Sequence, residues 1–118
     1  MLIEWLPKIG VLITGMFGLV GFFKPEVFTK PMNIMLQSPV AVSEARVVFG
    51  ALNLGMALAA LILADPVIYT AMGIAWGTAF LARVWSIFND NIGLKAAVPG
   101  LLVDGVLSAL LLSPILLS

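Results

Sequence analysis

Residues 43–64, SEARVVFGALNLGMALAALILA, are apolar over a length that crosses a bilayer, yet they carry Glu44, Arg46 and Asn53. A lipid interior offers no water to ionised or strongly polar groups, so such side chains turn towards other protein and find a partner there. The stretch therefore predicts a membrane-spanning helix packed among others, its polar side inward. Arg46, Gly50, Asn53 and Ala57 follow one another at four, three and four residues, which places them on one helical face. Two further ionisable residues stand inside apolar runs, Arg83 and Asp104, and both are expected to turn towards that face.

Composition supports the same class. The chain of 118 residues has single-domain length, is 62% hydrophobic and only 10% charged, and has a mean hydropathy of +1.16. Its six acidic and six basic residues cancel, leaving no basic field that would attract nucleic acid. Cysteine and histidine are both absent. That removes disulfides, thiol nucleophiles, histidine proton relays and the ordinary zinc and haem ligand sets, so no metal or other cofactor is expected. The first apolar run extends to about Phe23 without a basic start or a small-residue cleavage site. It reads as a retained span rather than a secretory signal.

Four spans follow, at about residues 2–23, 39–64, 67–88 and 95–117. Trp5 and Lys8 suit the mouth of the first, where an aromatic ring sits at headgroup level and a lysine snorkels outward. Gly10, Gly15, Gly18 and Gly21 thin the rest of it for close packing. Residues 24–38 form the long connection, broken by Pro25 and Pro31. Met32, Met35 and Leu36 recur there at helical spacing and predict a short amphipathic helix in the interface. Two thioethers could suit copper(I), but a methionine pair facing lipid reads as apolar filler. Ser38-Pro39 is an N-cap and first-turn proline, and Asp65-Pro66 is a tight turn.

The third span has Tyr69 near its start, Trp85 near its end, and a GxxxG step at Gly73 and Gly77. Asn89 to Gly93 make a polar turn. On the fourth span, which contains Pro99 and Pro114, Ala97, Gly100, Asp104 and Ser108 share a small, polar face. The architecture expected is an all-α, integral membrane, four-helix up-down bundle with the short interfacial helix between helices 1 and 2. Grooves at Gly15 and Gly18, and at Gly73 and Gly77, predict a homo-oligomer or a place in a larger membrane complex.

Lys24, Lys30 and Lys95 lie on one side of the membrane, with Arg46 and Arg83 close to it, whereas the other side has Lys8. The positive-inside rule then puts both termini outside the cytoplasm. At about 1.5 Å per residue, Arg46, Arg83 and Asp104 fall roughly 8–13 Å inside the same half of the bilayer. Glu44 lies at similar depth and could reach Arg83. The cluster admits two readings: a charge network that fixes helix register, or a polar pocket for a small solute or protons.

EARVVFGALNLGMAL, LARVWSIFND and the acid in the last span together resemble a widespread family of small bacterial four-span membrane proteins. That family carries only a domain-of-unknown-function label and is distantly similar to DoxX-type proteins. The resemblance covers most of the chain from Ser43 onward. It maps the family's pattern onto Arg46, Gly50, Gly55, Arg83, Ser86, Asp90 and Asp104, and implies a bacterial inner-membrane location without an activity. The chain departs from the pattern at Ala51, at Asn89-Asp90-Asn91, and in having Asp104 where a glutamate is usual.

Rival classes lack their chemistry. Small multidrug transporters need a deep glutamate in the first span, but Glu4 lies at its mouth. Fluoride channels need a polar, phenylalanine-rich pore signature that this sequence does not carry. An enzyme acting on a lipid or quinone would lack a clear nucleophile or base. The expectation is a non-catalytic accessory or scaffold protein held by Glu44, Arg46, Asn53, Arg83 and Asp104. The alternative is binding or transport of a small or lipophilic solute through a polar pocket in the cytoplasmic half.

Overall fold

Short polar side chains and prolines set where the second and third spans of this chain begin. Ser38 accepts a hydrogen bond on its hydroxyl from the Ala41 nitrogen at 3.1 Å, with Pro39 in the first turn. Asp65 does the same for the Val67 nitrogen at 2.8 Å, ahead of Pro66. Each such cap satisfies one orphan backbone donor and is worth about 1 kcal/mol.

The computed structural model describes residues 2–117, which are largely helical, with no strand among the described residues. The first span is α1 (Leu2–Phe23), followed by a short helix, α2 (Glu26–Thr29). The second span, Pro39–Leu63, joins α3 (Pro39–Ala45), a π-helical turn (Arg46–Ala51) and α4 (Leu52–Leu63). The third and fourth spans are α5 (Pro66–Asn89) and α6 (Leu94–Leu116). All four spans are long and apolar enough to cross a membrane, which is the all-α membrane class that the sequence predicts. The terminal residues, whose sidedness the lysine distribution predicts, lie outside the described ones.

The short helix falls earlier than the methionine spacing predicts. Proline has no N–H to donate and clashes with the preceding turn, so a helix in this connection fits only between Pro25 and Pro31. Residues 30–33 are turn instead, Asn33 adopts a left-handed φ of 59°, and the Ile34 nitrogen returns to the Thr29 carbonyl at 3.0 Å. Met32 and Met35 are exposed on non-helical chain.

Backbone contacts divide the chain into two units: the start of α1 through Gly10 with α5 and α6, and the rest of α1 with the second span. In the latter, glycines let two helix backbones meet. A Cβ at Gly21 would stand 2.3 Å from the Phe49 carbonyl oxygen, and one at Gly50 would stand 2.4 Å from the Phe22 nitrogen. Gly18 meets the Leu54 backbone at 2.5 Å, and Gly15 meets the Ala57 methyl at 3.2 Å, in the same sense. Phe28 anchors the connection to this unit, edge-on to Phe17 at 5.7 Å and stacked on Phe49 at 6.1 Å.

In the first unit α5 packs along α6. Gly73 receives Leu112, Gly77 receives Ser108, Gly105 receives Phe80, and Gly10 of α1 receives Leu111. The grooves at Gly15 and Gly18 and at Gly73 and Gly77 are therefore filled from within the chain, not left open for a partner helix. Gly55 differs, with nothing within 4 Å of its added Cβ. Large apolar side chains such as Ile62, Val67, Leu81 and Phe88 stand exposed along the spans, as a surface solvated by lipid requires.

Candidate functional site

The fourth span offers α5 a line of small and polar residues one turn apart, Gly100, Asp104 and Ser108. Asp104 is buried, its side chain only 2% exposed, and its Oδ2 accepts a hydrogen bond from Nε of Arg83. The Arg83 side chain is 41% exposed, so the pair has a dry side and an open one. Gly100 makes the seat, because a Cβ there would lie 2.6 Å from Cζ and Nη1 of Arg83. One turn further along, Ser108 Oγ donates to the Gly73 carbonyl at 2.9 Å. Interhelical hydrogen bonds of this kind hold helices together where lipid supplies no hydrophobic drive. An arginine so placed neutralises the carboxylate and leaves it no charge to offer a cation.

In the other unit Arg46 opens the π-helical turn and is half-buried. Its Nη1 donates to the Phe22 carbonyl and, at 3.2 Å, to the Phe23 carbonyl. These are the last carbonyls of α1, which have no partner within their own helix, and they carry the negative end of its dipole. The wider turn is seen in the bond from the Leu52 nitrogen to the Val47 carbonyl, five residues back. Asn53 spends its amide on its own span, with Nδ2 donating to the Phe49 carbonyl at 3.0 Å.

Of the residues singled out by sequence, then, Arg83 and Asp104 meet each other. Arg46 meets backbone carbonyls, and Asn53 satisfies itself one turn back. Glu44 is exposed and has no ion-pair partner among the described residues. Ser86 accepts the Asp90 nitrogen on its carbonyl at 2.9 Å, closing α5, while the Asp90 side chain accepts from Asn89 at 3.2 Å. The Phe22 and Phe23 carbonyls have no side-chain signature, so no residue pattern marks them in advance. The π-helical turn is equally silent in the sequence.

A shallow recess of about 290 Å³ opens on the first unit, lined by Leu6, Ala109, Leu110, Ser113, Leu116 and Leu117. It lies towards the C-terminal end of α6, beyond Asp104. Ser113 Oγ donates to the Leu110 carbonyl of its own helix at 2.7 Å, which leaves a wall suited to apolar groups. No group of three or more His, Cys, Asp or Glu among the described residues could hold a metal ion. Comparison with protein-family models, with curated proteins and with solved structures finds no match for this chain.

Proposed function

We propose that this chain is a non-catalytic integral membrane protein, an accessory or scaffold component of a membrane assembly. One observation carries the reading: three polar side chains within the spans spend their hydrogen bonds on the chain itself. Asp104 is taken by Arg83, Ser108 by the Gly73 carbonyl and Asn53 by the Phe49 carbonyl. Side chains committed to such bonds fix how helices meet and are poorly placed to exchange protons or hold a solute. Outward, the spans present apolar side chains and the uncovered Gly55, a surface that lipid or another span can meet.

The family resemblance supports a bacterial inner membrane as the location, and the lysine distribution supports an orientation with both termini outside the cytoplasm. Crosslinking in native membranes, followed by purification, tests the assembly. A defined dimer or heteromeric band is expected. A monomer at every protein-to-lipid ratio, with no co-purifying subunit, overturns the proposal.

A further inference from the structure

Arg46 is a cation inside a membrane span whose own unit gives it no carboxylate. Glu26 and Glu44, the acids within that unit, are both exposed, and neither pairs with it. The Phe22 and Phe23 carbonyls that accept from Nη1 carry only partial charge. A guanidinium has five N–H donors in a planar fork that fits two oxygens of a phosphate at once. With Nη1 turned to the end of α1, neither Nε nor Nη2 has a protein partner among the described residues.

Lys24 directly follows Phe23, whose carbonyl oxygen lies 3.2 Å from Arg46 Nη1, and Lys24 is exposed. Two full positive charges thus flank the C-terminal end of α1. Arg46 lies seven residues beyond Pro39, about 10 Å along the helix, within reach of the headgroup level for a snorkelling arginine. Ionisable groups at that depth pair with other charges or with backbone carbonyls, and the two carbonyls here engage only one nitrogen of the fork. Phosphate is the anion that a membrane surface supplies there.

We propose that Arg46 and Lys24 form a phosphate site at the C-terminal end of α1. Arg46 grips two oxygens through its free fork edge and Lys24 neutralises the remaining charge. The phosphate is that of an anionic phospholipid headgroup or of a free phosphate ion, two sources that share this chemistry. The π-helical turn fixes where Arg46 leaves its span, a device that recurs at functional positions of helices.

The full chain, purified in detergent, is titrated with phosphatidylglycerol and bound lipid is counted by native mass spectrometry. Melting temperature in sodium phosphate is compared with that in sodium chloride of equal ionic strength. The variants are Arg46→Gln, Lys24→Gln and, as a control outside the site, Lys8→Gln. Lipid affinity is expected to fall at least about tenfold in Arg46→Gln, the effect of losing a charge-assisted contact. A smaller fall is expected in Lys24→Gln and none in Lys8→Gln. If lipid does not bind but phosphate ion raises the melting temperature of the wild type and of Lys8→Gln, and not of Arg46→Gln or Lys24→Gln, the site takes free phosphate. Should Arg46→Gln fail to fold, Lys24→Gln decides, and undiminished binding there overturns the proposal. Equal binding by all variants, or no binding of either anion by the wild type, overturns it as well.

Discussion

Asp104 and Arg83 differ in how far each can retreat once its partner is gone, and that difference is measurable. The Asp104 side chain is 2% exposed and the Arg83 side chain 41%. Arg83→Ala leaves a carboxylate shut in the α5–α6 contact, at a cost of about 3–5 kcal/mol. Asp104→Ala frees an arginine that can swing outward, at a cost of about 1–3 kcal/mol, the range for losing one charge-assisted hydrogen bond. The double substitution should recover part of the loss, read as positive coupling in denaturation of the detergent-solubilised protein. Fully additive losses would show that the pair does not act as one. Glycines give a second contrast. Gly50→Ala would press a methyl onto the Phe22 backbone and should lower stability by about 1–3 kcal/mol, whereas Gly55→Ala meets open space and should be neutral or slightly stabilising. Equal melting temperatures for the two variants would count against backbone contact at Gly50.

Among the elements, the second span departs furthest from a uniform helix. A π-helical turn amounts to one residue inserted into an α-helix, so removing one residue restores the regular bonding while the flanks keep their faces. Val48 is exposed and lies within that turn. Its deletion should leave the protein folded, whereas deletion of Leu58 from regular α4 rotates the remaining span by about 100° and should abolish monodisperse material on size exclusion. Much of this element was legible beforehand. Apolar run lengths marked the four spans, and Ser38-Pro39 and Asp65-Pro66 marked two helix starts, because these signals are local. The short helix falls earlier than methionine spacing alone indicates, because Pro31 imposes a stop. The role of Arg46 was not legible, since its acceptors are main-chain oxygens that every residue possesses. Nor could spacing alone reveal that the glycine grooves face inward, because a small residue admits its own chain and a foreign one equally well.

At the scale of the whole molecule, sidedness is open to direct test because the chain has no native cysteine. Single cysteines replacing Lys30 and Asn91 should react with membrane-impermeant maleimide only after the cells are opened. Labelling of position 30 in intact cells would reverse the orientation that the lysine distribution gives. The polar contacts also bear on how the chain is made. An arginine at the centre of an inserting helix opposes partition into lipid by about 2.5–3.5 kcal/mol. For Arg46 the acceptors at Phe22 and Phe23 have already been synthesised when it emerges from the ribosome. For Arg83 the partner, Asp104, lies 21 residues downstream and has not yet emerged. The second span can thus leave the translocon against a helix already waiting, whereas α5 gains by lingering in the channel until α6 arrives. The order of synthesis and the direction of each contact together favour joint, late insertion of the last two spans.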